Sequence, residues 1–384
     1  MQLNVLVLLL FILYYATSLL YPSNDATESQ RLVPQLSMVG IAFVAIFVTV
    51  KNYRWLKSFP LFRPFLLLCL IQVPYIFILN GDASLFQNFI TYLKYNLAIF
   101  AIFLWFYLLD ENECIAHRNI LIVFFIQVAY AFSFLYNDLH TTSAESQIFD
   151  SNAGFILVSC VPMTLLLPQK RLRVYMCLLL LMGCIMSGQR SAGVAAVVAA
   201  PFCFRYLKGN IKQNDWIILI VLGLIVGLPL LSKAYDNLML RMAIDEAHGS
   251  IGSGRSVFWL ITWEQFWSKG IWHIILGNGY GSLQITLKEL FGIPISSHNG
   301  WLDYLYMFGL MGEIVYVWCY IVIFKCNGEF NKALPDYRNF LLIIGILFVV
   351  RSSTSHGFWD IGVIPLGMSM AVICHKYGLN ACVD

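Results

Sequence analysis

Charge is what this 384-residue sequence has least of: Asp, Glu, Lys and Arg make up 12% of it against 59% apolar residues. That is too little polar surface for a water-soluble domain of this length to cover itself. The 24 basic and 21 acidic residues leave a net charge of +3, and the cations are scattered rather than massed, which excludes nucleic acid as a partner. No D-x-D and no H-E-x-x-H occurs, so the paired carboxylates that hold a cation for a metal-dependent transfer are missing. No metal and no cofactor is expected. The ten cysteines lie in apolar runs or basic connections, and neither a disulfide framework nor a C-x-x-C zinc site is readable. Internal repeats and low-complexity stretches are also lacking.

Long apolar runs are present in abundance. A transmembrane helix needs about 20 apolar residues to cross a core of about 30 Å, and such runs account for nearly the whole chain. The expectation is an all-α polytopic membrane protein with about twelve transmembrane helices, forming one integral membrane domain over residues 1–384. No Lys or Arg precedes the first run (1–20), which reads as an uncleaved helix rather than a signal peptide. Helix three is expected over 64–80, helix four over 85–109, helix nine over 216–232 and helix ten over 299–324. One sizeable polar segment interrupts the pattern, a large loop at 233–298 between helices nine and ten.

Orientation follows from the cations, because short cytoplasmic loops are enriched in them. With the N-terminus inside, the inward links hold Lys51, Arg54, Lys57, Arg63, Arg118, Lys170, Arg171, Arg173, Arg205, Lys208, Lys212, Lys325, Lys332, Arg338 and Lys376, while the short outward loops hold only Arg31, Arg190 and Arg351. Both termini are therefore expected in the cytoplasm and the large loop outside.

The residues that carry chemistry cluster at that outer side. Arg190 sits in a short turn, SGQRSAG, where small neighbours leave one cation uncrowded and suited to a bidentate phosphate contact; its bland role is an anchor to lipid headgroups. Arg255 opens an aromatic amphipathic stretch, GSIGSGRSVFW, that reads as an interfacial helix with Trp259, Trp263 and Trp267 on one face. A cation at the start of such a helix suits an anionic group. LGNGYGS, at 276–282, lacks the strand, spacing and Lys of a nucleotide loop, and its glycines, Gly279 and Gly281 among them, permit tight turning and close approach to a ligand. His298 adjoins Asn299 at the mouth of helix ten. Its imidazole, with an unperturbed pKa of about 6.5, suits proton transfer from a sugar hydroxyl, whereas the bland role is a helix cap. Gly309 and Gly312 suggest close helix packing. Lys94, inside helix four, calls for a partner or a function. Arg351 lies near enough to the outer face to snorkel.

In this order, SGQR, SGRSVFW, LGNGYG and SSHNGWLDYLYMFGLMG resemble the O-antigen polymerase and O-antigen ligase superfamily of bacterial envelope glycosyltransferases. The motif likeness covers 187–312. It implies transfer of a glycan from undecaprenyl diphosphate to an acceptor hydroxyl at the outer face of the inner membrane, without nucleotide sugar or metal. Arg190 and Arg255 would then hold the diphosphate, and His298 would orient or deprotonate the acceptor. Asn299, Gly279 and Gly281 are expected to contact substrate, and Arg241 and Arg351 enter as further substrate-binding candidates that match no motif. Implied partners are undecaprenyl-diphosphate-linked oligosaccharides, membrane lipid and a chain-length regulator. Between the sister activities, a ligase must dock an anionic lipid A-core. The large loop sets Lys233, Arg241, Arg255, Lys269 and Lys288 against Asp236, Asp245, Glu246, Glu264 and Glu289, a balance that favours the polymerase over the ligase. A secondary transporter is the rival from another class, disfavoured by the missing repeat and by a distinctive loop outside the bilayer.

Overall fold

A computed structural model describes residues 2–20, 28–57, 59–81, 84–109, 113–141, 153–207, 232, 235, 236, 239, 255–292, 295–355 and 361–381. All regular structure in them is helical: α1 (Gln2–Leu20), α2 (Glu28–Lys51), α3 (Tyr53–Leu56), α4 (Phe62–Gln72), α5 (Leu85–Leu108), α6 (Glu113–Thr141), α7 (Ala153–Thr164), α8 (Lys170–Met186), α9 (Arg190–Leu207), α10 (Arg255–Ser268), α11 (Ile271–Leu276), α12 (Ser282–Phe291), α13 (Gly300–Ala333), α14 (Phe340–Thr354) and α15 (Ile364–Ala381). Among the described residues, six helical stretches are long and apolar enough to cross a membrane: those within α1, α2, α5, α6 and α13, and Pro335–Thr354. The chain is a helical membrane protein. Nearly all of the expected ninth helix (216–232), and Arg241 with most of 233–254, lie outside the described residues.

Burial separates the inner helices from the outer ones. In α5, 72% of the apolar window is buried against 28% in α1, so α5 is central and α1 faces lipid. A capping box starts α5: Gln87 N–H donates to Ser84 Oγ at 3.2 Å and Ser84 N–H to Gln87 Oε1 at 2.9 Å, satisfying two of the amide groups that a helix start leaves unpaired. Lys94 is exposed on the outside of this helix rather than held in the interior.

Two expected helices break where the sequence carries a conformational reason. Helix three is α-helical only to Gln72 and tightens into a 3-10 turn over Val73–Phe77. Pro74 supplies no N–H and its ring crowds the carbonyl four residues back, so the wider helix cannot continue there. Helix ten does not run straight. At Gly309 the backbone turns to φ 65°, ψ −170°, and α13 doubles back as a short arm, 300–308, laid against a long one, 310–333. The rings record the reversal: Trp301 is 4.7 Å from Tyr320 and Tyr304 stacks on Tyr316 at 4.6 Å, whereas a straight helix would separate these pairs by about 28 and 18 Å. The long arm alone, at about 36 Å, is sufficient to cross a bilayer core. The two small residues expected to admit another helix instead serve this reversal, Gly309 as the bend and Gly312 as the flat seat for Phe308.

The reversal leaves carbonyls without intrahelical donors, and the glycine loop fills them. Gly279 N–H donates to Met307 O at 2.8 Å, and Asn278 gives Tyr306 O both its N–H (3.2 Å) and its side-chain amide (3.0 Å). From the other side Asn80 Nδ2 donates to Asn278 O at 2.9 Å and Tyr280 O at 3.0 Å, and the Tyr75 hydroxyl donates to Leu276 O. Beneath the loop, Gln72 Nε2 donates to Tyr304 Oη at 3.0 Å, and Asn96 Nδ2 donates to Gln72 Oε1 at 3.2 Å. Burial pushes the Tyr280 phenol well above its ordinary pKa, so it stays protonated and donates to Gln72 Oε1 at 2.9 Å. Such bonds between membrane helices contribute about 0.6 to 2 kcal/mol each.

Candidate functional site

Several helices end together on one side of the bundle, and a chain of contacts links the residues singled out in the sequence. It starts at Arg351 in the last turn of α14. This residue does not snorkel: its side chain is 2% exposed, with the guanidinium carbon 4.6 Å from the centroid of the Phe155 ring. An aromatic face attracts a cation, which draws the side chain inward from the membrane edge. Gly362 is also close, and an added Cβ there would fall 2.6 Å from Arg351 Nη2. A side chain there would require the guanidinium to shift.

Three residues beyond Arg351, Thr354 O accepts a hydrogen bond from Arg255 Nη1 at 3.3 Å. Arg255 is the first residue of α10, the amphipathic helix read from the sequence. The tryptophan stripe on that helix divides. Trp259 turns inward and donates Nε1–H to Ser297 O at 2.8 Å, while Trp263 and Trp267 stay exposed.

Ser297 is the hinge beneath the histidine. Its N–H and hydroxyl donate to one carboxyl oxygen of the buried Asp303, at 3.0 and 2.5 Å, and its Oγ accepts from Asn299 N–H at 3.1 Å. His298 is thereby held at φ 55°, a left-handed conformation that is uncommon outside glycine and persists where its surroundings fix it. The cap falls to Asn299, whose side-chain oxygen accepts from Trp301 N–H at 3.1 Å and Leu302 N–H at 3.3 Å. This arrangement leaves His298 out of the capping role and engages the Asn299 side chain within the protein. Trp301 then closes the circuit to α14 by donating Nε1–H to Ser353 Oγ at 3.2 Å.

The SGQR turn reaches the same end through α7. Gly188, at φ 65°, makes the turn, and Arg190 is the first residue of α9. Gly154 packs on this turn: a Cβ added there would strike the Ser187 hydroxyl and lie 2.9 Å from Ala192 Cβ. Phe155, the next residue, carries the guanidinium of Arg351.

The two loop glycines expected at substrate lie on the far side of the short arm. A Cβ on Gly279, at φ 87°, would lie 3.0 Å from Asn80 Nδ2 and 3.0 Å from Ile78 Cγ2, while Gly281, at φ 72°, begins α12 with nothing within 4 Å. The tight backbone approach predicted for the motif is made to the protein's own α13. Sequence reasoning passed over the residues that receive the loop, Gln72, Asn80 and Asn96. The available signal was amides inside apolar runs, which membrane helices use as interhelical hydrogen-bonding groups.

Among the described residues the arrangement is that of a helical membrane protein in which Arg255, the last turn of α14 with Arg351, and the peptide preceding His298 are tied together by hydrogen bonds. Compared with protein-family models and with curated proteins, the chain matches none.

Proposed function

We propose that this chain is a lipid-linked-glycan glycosyltransferase of the O-antigen polymerase kind. In this reading it has about twelve spans in the bacterial inner membrane, both termini in the cytoplasm and its site on the periplasmic face. The observation that carries the reading is the linkage of Arg255 to the last turn of α14 beside Arg351, with the same helix fastening the peptide next to His298. Cations able to bind a diphosphate thus share one end of the bundle with a group able to take a proton.

The chemistry follows from those groups. The bond between the anomeric carbon and the diphosphate oxygen breaks, and the electron pair leaves with undecaprenyl diphosphate. Arg255, Arg190 and Arg351 stabilise that charge as it develops. The acceptor hydroxyl on a lipid-linked repeat unit forms the new glycosidic bond, and its proton passes to His298. A chain-length regulator is the expected protein partner.

The reversal of α13 favours one other reading, since secondary transporters use discontinuous helices. Here the freed carbonyls are filled by Asn278 and Gly279, and the long arm is by itself long enough to cross, which supports a break at the end of a span rather than near its middle. The glycosyltransferase reading accounts for the arginines as well.

The electrophoretic pattern of surface polysaccharide in a deletion strain tests the proposal. Core capped with a single repeat unit and no ladder is expected. Uncapped core, with long polymer on the lipid carrier, would identify the ligase; an unaltered ladder would reject both.

A further inference from the structure

The exposed side chains of α10 and α11 are mostly large and apolar, with Ser256, Glu264, Ser268 and His273 the polar ones among them. Leu260, Trp263, Trp267, Ile271, Trp272 and Leu276 are all exposed, Trp272 at 70%, and the Trp263 and Trp267 rings meet edge to face at 5.4 Å. The inward face is already engaged, with Thr262 buried and Phe266 packed into a cluster with Leu283, Leu287, Leu305 and Tyr306. A patch of this kind on a soluble surface marks an interaction site.

Two ties fix its level. Arg255, at the head of α10, is bonded to Thr354 O, the last residue of a membrane span. The end of α11 is joined to Gly309, where the crossing arm of α13 begins, for Gly277 and Gly309 approach so closely that a Cβ on either would lie 2.5 Å from the backbone nitrogen of the other. The helix pair therefore lies at the edge of the bilayer. Past Gly309 the first exposed residues of α13 are Leu310, Met311 and Ile314, so the patch continues into the lipid-facing side of a span.

We propose that this face contacts the bilayer itself: α10 and α11 lie in the headgroup–acyl boundary of one leaflet with their outward side chains in lipid. Tryptophan is favoured at that depth, with its apolar ring in lipid and its N–H at the polar edge, and an amphipathic helix lies in the interface plane with its apolar face buried. Arg255 is thereby held at the level of lipid phosphates. The inference goes beyond the glycosyltransferase reading and does not rest on it.

The test uses the full chain reconstituted in phosphatidylethanolamine–phosphatidylglycerol vesicles, with and without phosphatidylcholine brominated at shallow acyl positions. Tryptophan emission of the unaltered protein is compared with that of a variant carrying Trp263→Phe, Trp267→Phe and Trp272→Phe. The emission missing from the variant should be quenched more strongly by brominated lipid than by iodide present on both sides of the membrane. Stronger quenching by iodide would overturn the proposal and place the face in water. Protection from both quenchers would overturn it too, assigning the face to a second copy of the chain or another protein. Should the triple variant misfold, the single Trp272→Phe change at the most exposed position gives the same difference measurement.

Discussion

Gly277 and Gly309 meet backbone to backbone across the end of α11 and the bend of α13, both with positive φ, 84° and 65°. Neither position tolerates a side chain. Alanine at either should cost about 1 to 3 kcal/mol through backbone strain and lower the thermal midpoint in detergent. Because both changes break one contact, the double variant should lose less than the sum of the single losses. Full additivity would show that the two positions act separately.

His298 offers a separation of stability from activity. At φ 55° glycine is less strained than histidine, so His298→Gly should hold or raise the thermal midpoint. In the proposed chemistry the same change removes the proton acceptor, a loss of typically 10²- to 10⁴-fold in rate. Ladder formation that survives in this variant at normal protein abundance would remove His298 from the reaction.

For Asn299 the measurement decides between a cap and a substrate contact. Asn299→Ala should destabilise by about 1 kcal/mol, as lost caps do, whereas Asn299→Asp keeps an oxygen for Trp301 and Leu302 and should preserve both stability and polymer. Loss of polymer in Asn299→Asp with the midpoint unchanged would return the residue to the substrate.

Gly362 and Phe155 both approach the Arg351 guanidinium. Gly362→Val should force the guanidinium from its seat and abolish the ladder, and Phe155→Leu should weaken the site by removing a contact of about 0.5 to 2 kcal/mol. Arg255→Lys, and likewise Arg190→Lys, should fail to rescue function because a point charge lacks the fork geometry. Membrane abundance measured alongside separates these effects from misfolding.

The class of the protein was legible because crossing lipid demands long apolar runs, and no other architecture satisfies the charge content. The start of α10 at Arg255 was legible too, since its amphipathic period is local. The reversal at Gly309 was not. An apolar stretch reads the same whether it runs straight or doubles back, and the partners that stabilise the bend, Asn278 and Gly279, come from elsewhere in the chain. For the same reason the assignment of the cap to Asn299 rather than His298, and the burial of Arg351 against Phe155, awaited three-dimensional contacts. The motif glycines were read as permitting close approach to a ligand, whereas the approach seen is that of Gly277 and Gly279 to the backbone of α13.

The bond from Gln72 to Tyr304 spans 232 residues of chain, and it has a consequence for assembly. During synthesis α4 and α5 enter the bilayer long before α13 exists, so Gln72 and Asn96 pair with each other first and the bonds to Tyr280 and Tyr304 are added later. The short arm of α13 is not held by its own length in the membrane and can settle only after the glycine loop has seated against Asn80 and Tyr75. Final closure is therefore a late event that joins the first-made third of the protein to the last-made third.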